Sequence, residues 1–242
     1  MRLIRAFFMC LGMFTALPCP WRPWDEDARD WMLVTLPPVG LVVGALWFAL
    51  GWLGLRFLAP AAGAILAALP WGLTGFIHLD GYMDTCDAIL SWRPLEKRWE
   101  ILKDSHTGAF AVVGLAILAM FSYGAASALG AEKLPALVLV PVVSRCGSAL
   151  AVLSLKPIGH SAYARMSGRL GQRVAVVCMW AAALIVGRMW LGRLWIALIA
   201  ESLGYAAAMA WGYRTLEGVS GDVAGFALAV AECVALTALA VL

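Results

Sequence analysis

The chain has 242 residues, 63% of them hydrophobic and 14% charged, with a mean hydropathy of +0.85 and a net charge of +3. A soluble globular domain is closer to half apolar and a quarter charged, so this composition excludes one and points to an integral membrane protein. The small net charge gives no reason to expect a nucleic-acid partner.

Apolar runs separated by short polar loops imply helices, because the period-two alternation of a membrane barrel is absent. The expected fold class is all-α: a polytopic membrane helical bundle with about seven transmembrane helices and an N-terminal interfacial or part-inserted helix, forming one integral-membrane catalytic domain over 1–242. The cysteines at 10, 19, 86, 146, 178 and 233 lack CxxC or CxxH spacing and sit mostly in apolar runs. They read as buried thiols, not as a zinc site or a disulfide framework.

Taken in order, the N-terminus carries Arg2 and Arg5 and then an apolar stretch to Leu17. Ala16-Leu17-Pro18-Cys19 looks like a lipoprotein cleavage site, but a chain with several later spans needs no cleaved signal. An interfacial helix anchored by the two arginines is the preferred reading. Pro18, Pro20 and Pro23 end it, and Trp21, Trp24 and Trp31 suit the headgroup region. Seven candidate spans follow, near 33–55, 60–77, 108–129, 134–153, 174–188, 194–212 and 223–242. Most approach the ~20 residues a bilayer requires. The fifth is short, and Pro70 and Gly72 interrupt the second.

Orientation follows from lysine and arginine placement. With 78–107 placed in the cytoplasm, that side collects 13 basic residues (Arg2, Arg5, Arg22, Arg29, Arg93, Lys97, Arg98, Lys103, Lys156, Arg165, Arg169, Arg173 and Arg214). The other side receives 4, Arg56, Lys133, Arg188 and Arg193, and Arg145 falls inside a span. The loops 78–107, 154–173 and 213–222 then share one cytoplasmic face. Within 78–107, Pro94 suits a first helical turn, and Leu95, Trp99 and Leu102 recur at helical spacing, which predicts a short amphipathic helix on the membrane surface. Glu96 and Glu100 read as its solvated face, with Asp104 the exception.

The residues that carry chemistry cluster at His78-Leu79-Asp80-Gly81-Tyr82-Met83-Asp84-Thr85-Cys86-Asp87. At about 100° per residue, Asp80, Asp84 and Asp87 fall within about 60° of arc on a helix, so their carboxylates share a face. Hard oxygen ligands suit Mg²⁺ or Mn²⁺, with substrate phosphates sharing the coordination. The plain alternative is a set of carboxylates that cap and solvate a helix end. His78 lies roughly opposite this face. It reads either as a membrane-boundary residue bonding a carbonyl or as a base near a phosphate centre. Lys103-Asp104-Ser105-x-x-Gly108 adds a cation, a carboxylate and a hydroxyl where the third span begins, and helix capping by Asp104 or Ser105 is again the plain alternative.

Arg145, inside the fourth span beside Ser144, is a candidate partner for phosphate or carboxylate. Glu201 and Glu232 lie in the sixth and seventh spans, and pairing with Arg145 or lining a cavity are equally open to them. Gly218-Val219-Ser220-Gly221-Asp222 supplies flexible backbone and one carboxylate at the start of the last span. The chemistry so assembled is metal-assisted phosphoryl transfer at a cytoplasmic membrane face.

Thr74-Gly75-x-x-His78-Leu79-Asp80-Gly81-x-x-Asp84-x-x-Asp87, Lys103-Asp104-Ser105-x-x-Gly108 and Gly218-x-Ser220-Gly221-Asp222-x-x-Gly225 with Glu232 downstream resemble the cobalamin synthase family. Phe14-Thr15-Ala16-Leu17-Pro18-x-Pro20 looks like its N-terminal signature and Ser144-Arg145 like its mid-chain arginine. The resemblance runs from about residue 7 to the C-terminus. Departures are Phe76 and Ala88 where the family usually has glycine, and Ala111 where the Lys-Asp-Ser motif would end in one.

The resemblance implies an adenosylcobinamide-GDP ribazoletransferase. The 3′-hydroxyl of α-ribazole, or of its 5′-phosphate, attacks the phosphorus joining cobinamide to GMP, and GMP leaves. It further implies Mg²⁺ as cofactor and the bacterial inner membrane as location, with Asp80, Asp84 and Asp87 as metal ligands. His78, Lys103 and Asp104 would be catalytic, with His78 or Asp104 the base and Lys103 countering phosphate charge. Ser105, Arg145 and Asp222 would contact substrate. A homo-oligomer or association with other cobalamin-assembly enzymes is compatible with it.

Two other classes compete. A CDP-alcohol phosphotransferase also uses aspartates at a membrane face, but its D-x-x-D-G-x-x-A-R signature is absent, since Ala88 follows Asp87 with no Ala-Arg pair after it. A transporter would use Arg145, Glu201 and Glu232 as a pathway, yet no paired repeat with matching broken helices is visible.

Overall fold

The computed structural model describes residues 1–19, 21, 24–158 and 170–242. Pro20, Arg22, Pro23, Arg165 and Arg169 lie outside the described residues, and with them part of the expected loop 154–173. In chain order the helices are α1 (Arg2–Phe14), α2 (Glu26–Arg29), α3 (Met32–Phe57), α4 (Ala62–Leu73), α5 (Ile77–Leu90), α6 (Leu95–Ile101), α7 (Ala109–Ser127), α8 (Val140–Ser154), α9 (Leu170–Trp190), α10 (Ile196–Leu216) and α11 (Gly221–Val241). No strand forms among the described residues; one isolated bridge joins Pro157 to Val219.

Six helices are long and apolar enough to cross a membrane: α3, α7, α8 with the 3-10 turn before it, α9, α10 with its leading turn, and α11. These match six of the expected spans. The fifth, expected to be short, is a helix of 21 residues that begins earlier, at Leu170. α4 has only 12 residues, about 18 Å of rise against a ~30 Å hydrocarbon core. It becomes a candidate seventh span only together with α5, and the two meet at a 92° bend.

That bend is built locally. Gly75 N–H donates to Gly72 O (3.0 Å) and Phe76 N–H to Trp71 O (2.8 Å), the paired bonds of a Schellman helix end. Thr74 Oγ1 donates to Pro70 O (2.8 Å), and Ala16 N–H reaches Leu73 O (2.9 Å) from the segment after α1. The last carbonyls of α4 are thereby satisfied where no water need reach them. Phe76 sits at φ +62 directly after Gly75 at φ +60, and its carbonyl accepts the first α5 bond from Asp80 N–H (2.8 Å). The break thus falls at Thr74–Phe76, a few residues beyond Pro70, which α4 accommodates.

The expected cytoplasmic loop over 78–107 is therefore corrected: its first half is α5, a packed helix whose Leu79, Gly81, Tyr82, Thr85, Cys86, Ala88 and Ile89 are buried. α5 packs mainly on α11 and α7. Its apolar residues fall on two sides of the helix, so both sides bury against neighbours and the segment cannot remain an open loop. The expected amphipathic helix is α6. Trp99 Nε1 donates to Leu216 O (2.9 Å) and Arg98 to Thr215 O (3.0 Å), pinning it to the end of α10.

α8 is the central element, 83% buried with its leading turn, while α9 is only 22% buried and faces outward. Gly40 and Gly44 of α3 bring its backbone against the Pro141 and Val138 carbonyls of the α8 segment, a small-residue contact of the kind membrane helices use. α1 packs on α3 and is held to α2 by Arg5–Asp25 (2.6 Å). At 13 residues it is too short to cross.

One end of the bundle collects the expected loops. Val219 N–H donates to Lys156 O (2.8 Å), Arg173 Nε to Leu153 O (2.9 Å) and Gln172 Nε2 to Asp30 O (2.8 Å), with α6 docked beside them. At the opposite end Lys133 Nζ bonds Ala240 O (3.3 Å) and Arg193 bonds Leu242 O.

A non-glycine residue held in the left-handed region costs about 1–3 kcal/mol. Replacing the half-exposed Phe76 by glycine should therefore leave the thermal midpoint unchanged or raise it, and valine should lower it. Thermal unfolding of the two variants in detergent checks this, and Phe76→Val matching Phe76→Gly would be the contrary result.

Candidate active site

α5 crosses the start of α11 at close range. A methyl group on Gly81 would stand 2.8 Å from the Asp222 Cα, and one on Gly225 would stand 3.2 Å from the His78 carbonyl oxygen. Tyr82 and Phe226 stack across the same crossing at 5.4 Å, and the Tyr82 hydroxyl donates to Gly114 O of α7 (2.9 Å). This packing brings Asp222 beside the aspartates of α5. Asp80, Asp87 and Asp222 are all near enough to Asp84 for their charges to act on it.

The three α5 aspartates are not equivalent. Asp80 is exposed, Asp84 half-buried and Asp87 buried. Asp87 Oδ2 accepts from Gly108 N–H (2.6 Å) and Oδ1 from Ala111 N–H (2.9 Å). It therefore satisfies two orphan donors at the α7 N-terminus, where a carboxylate also meets the positive end of the helix dipole. Among the described residues no three His, Cys, Asp or Glu side chains form a metal-binding group. Of the expected ligands Asp80, Asp84 and Asp87, Asp87 is engaged as a cap of α7, while Asp80 and Asp84 lie near Asp222 of α11. Asp222 accepts a hydrogen bond from Ser220 Oγ (3.2 Å). None of the ion pairs among the described residues involves these carboxylates. Hard oxygen donors without a basic partner fit Mg²⁺, which takes one or two carboxylates and keeps several waters.

His78 lies in the first turn of α5. Its ring stacks on Phe14 (6.2 Å, 7° between planes), and its Nε2 is buried with no hydrogen-bond partner. A pocket of about 110 Å³ opens here, lined by Phe14, Leu36, His78, Ser148, Val152 and Asp222 among others. Sequence reasoning missed Leu36, Ser148 and Val152, since apolar or small residues inside apolar runs carry no signal that they line a pocket.

Lys103, Asp104 and Ser105 fall in the exposed turn between α6 and α7. Asp104 Oδ1 bonds both the backbone N–H (3.0 Å) and ring Nδ1 (2.7 Å) of His106. Asp104 is thus a partner of His106, a residue not singled out in the sequence. The hydrogen bond and charge of Asp104 raise the His106 titration above the ordinary imidazole value, and His106 lowers that of Asp104.

Arg145 is wholly buried in α8. Its Nη1 donates to Glu232 Oε1 (3.1 Å) and to Pro141 O (3.1 Å), and Ser144 Oγ adds a bond to the same Glu232 oxygen (3.0 Å). Of the phosphate and carboxylate partners expected for Arg145, the structure shows a carboxylate, Glu232, while its Nε and Nη2 have no hydrogen-bond partner. Glu201 is equally buried, and neither of its carboxylate oxygens has a hydrogen-bond partner.

Two expectations follow. Removing one partner of a buried pair leaves an uncompensated charge and costs about 3–5 kcal/mol, whereas replacing both with apolar residues is often neutral. Glu232→Ala should therefore destabilise strongly, and the double variant Arg145→Met with Glu232→Met should recover most of the loss. Thermal unfolding in detergent tests this, and a single variant as stable as the wild type would contradict it. At the exposed turn, the Asp104–His106 ion pair exists between the lowered Asp104 titration and the raised His106 one, and it is lost as pH rises through the latter. Asp104→Asn should return His106 to an ordinary imidazole titration by NMR; an unmoved curve would disprove the pairing.

The family model described as cobalamin-5-phosphate synthase matches residues 6–240. The adenosylcobinamide-GDP ribazoletransferase of Clostridium botulinum (strain Alaska E43 / Type E3) is 36% identical over 243 residues, 97% of this chain and 96% of that protein. Proteins of the same name from Clostridium perfringens (strain 13 / Type A) and Roseiflexus sp. (strain RS-1) are each 32% identical, covering 94% and 95% of this chain and 94% and 87% of their own lengths. No solved structure matches the chain. A match of this extent, over motifs that converge at the α5–α11 crossing, places the chain in the cobalamin-5-phosphate synthase family.

Proposed function

We propose that this chain is a Mg²⁺-dependent adenosylcobinamide-GDP ribazoletransferase of the bacterial inner membrane, with its acidic face toward the cytoplasm. The observation that carries the reading is the full-length likeness to ribazoletransferases together with three free carboxylates gathered where α5 crosses α11. The basic residues concentrated at that end of the chain's topology support the cytoplasmic orientation.

In this reading a ribose hydroxyl of α-ribazole, or of its 5′-phosphate, attacks the phosphorus that links cobinamide to GMP. A P–O bond to the ribose forms, the P–O bond to GMP breaks, and GMP leaves with the bonding electrons. The hydroxyl proton passes to a base. His78 suits that task better than Asp104, because its Nε2 is unpartnered beside Asp222, whereas Asp104 is engaged by exposed His106. One or two of Asp80, Asp84 and Asp222 would hold the metal, with water and substrate oxygens completing its shell. Bound there, Mg²⁺ would neutralise diphosphate charge. Asp87 keeps α5 and α7 in register, so the free carboxylates need not reorganise during the reaction. Lys103, exposed and outside every ion pair among the described residues, would counter substrate phosphate charge.

Membranes containing the protein, given adenosylcobinamide-GDP, α-ribazole and Mg²⁺, should release GMP and yield a cobalamin. Asp84→Asn should reduce release to background while the protein stays in the membrane, and chelation should do the same to the wild type, reversibly. Near-normal turnover by Asp84→Asn would sink the metal assignment, and no GMP release by the wild type would sink the activity.

A further inference from the structure

The pocket beside His78 has a division of chemistry that the acidic face lacks. Phe14, Leu36 and Val152 make an apolar side, and His78, Ser148 and Asp222 supply its polar groups. Ser148 Oγ donates to Ser144 O (3.3 Å), which leaves its lone pairs to accept. The Phe14 and His78 rings, both lining the pocket, stack on each other 7° from parallel. Among the described residues no lysine or arginine lines it.

Size narrows the occupant further. An apolar cavity of about 150 Å³ holds one benzene ring, and this pocket offers about 110 Å³ among the described residues. It takes the edge of one flat ring system with the remainder projecting outward. A corrin macrocycle does not fit. Guanine would bring several edge donors and acceptors among mostly apolar walls, where unpaired polar groups are costly.

We propose that this pocket seats the base of the acceptor nucleoside, a flat and largely apolar heteroaromatic ring, with its sugar lying across Asp222 and His78. The proposal rests on the ribazoletransferase reading for the identity of the acceptor. Its structural core is one juxtaposition: Asp222 lines the pocket and also belongs to the acidic face of Asp80 and Asp84. A base held in the pocket therefore carries its ribose to the boundary between the two. Selection of the base would be by shape, and an apolar pocket discriminates one methyl group by only about 10–200-fold.

Val152→Phe fills the pocket and Leu36→Ala enlarges it, both away from the carboxylates. Steady-state kinetics with each substrate varied, and equilibrium dialysis of α-ribazole against the purified full chain, are the readouts. Val152→Phe should raise KM for α-ribazole and weaken its binding at least tenfold while leaving KM for adenosylcobinamide-GDP unchanged. Leu36→Ala should shift preference toward nucleosides with bulkier bases. A rise in donor KM alone would make the pocket the guanine site and overturn the proposal, as would unchanged α-ribazole binding by both variants. If Val152→Phe fails to fold, Leu36→Ala decides by the same criteria. The two readings separate cleanly: wild-type protein that binds α-ribazole in a Val152-dependent way without releasing GMP keeps the pocket and loses the reaction. Protein that releases GMP but binds α-ribazole equally well in both variants keeps the reaction and loses the pocket. Wild-type protein that neither binds nor reacts overturns both.

Discussion

The carboxylate of Asp87 is the joint on which the acidic face depends. The first N–H groups of α7 have no intrahelical acceptor. Asp87 takes two of them, through Gly108 and Ala111, and so locks the end of α5 to the beginning of α7. Gly108 is needed for the approach, since a methyl group on it would sit 2.6 Å from the Asp87 carboxylate. With that end fixed, Asp84 lies about one turn back along α5 and Asp80 about two, toward Asp222 on α11. One helix face thus divides its labour. The innermost carboxylate holds the architecture, and the outer ones stay unpaired and accessible.

The bundle treats its other charges differently. Arg145 and Glu232 pair in the interior, through Nη1 with Ser144 and the Pro141 carbonyl beside it, while Arg145 Nε and Nη2 find no partner. Arg5–Asp25 and Lys97–Glu100 are surface pairs, which solvent screens and which add little to stability. Asp80, Asp84 and Asp222 stand out by lying near enough to act on one another while having no basic partner within ion-pair distance among the described residues. Carboxylates held close together repel one another, so their arrangement is favourable only with a cation or a positively charged group between them. That is the physical ground for reading the face as a metal and phosphate site.

The long spans are legible in hydropathy because a membrane helix must be apolar for some twenty residues whatever its neighbours are. The shared face of the loops is legible for a related reason: alternating spans return every second loop to the same end. The same property hides the interior. Hydropathy places a boundary near residue 77, but the bend depends on a hydrogen-bonded turn from Pro70 to Phe76, and the only hint of the left-handed conformation of Phe76 is the glycine that the resembled family usually has there. The spacing of Asp80, Asp84 and Asp87 announces a common helix face correctly. It does not announce that Asp87 is claimed by α7, because the claimants are backbone N–H groups, which every residue except proline possesses. Arg145 and Glu232 are visible as charges in apolar runs, yet their pairing is a contact 87 residues apart in sequence. Lys103-Asp104-Ser105 reads as a motif, but its structural partner, His106, lies just outside it.

These elements divide the site into two compartments with different chemistry. On one side, the free carboxylates of α5 and α11 form a hydrophilic face suited to a cation and a diphosphate. On the other, helices α3, α5, α8 and α11, with Phe14 from α1, enclose a small pocket with an apolar wall. Asp222 belongs to both, and His78 stands beside it on the pocket side. A transfer between two substrates goes fast only when the attacking oxygen and the phosphorus are held in near-attack geometry, since orientation alone can supply about 7–11 kcal/mol. In the proposed reaction the boundary at Asp222 is where those atoms meet. The constraint on that boundary is steric before it is chemical. Gly81 and Gly225 let α5 lie directly on α11, and any side chain at either position would push the carboxylate compartment away from the pocket.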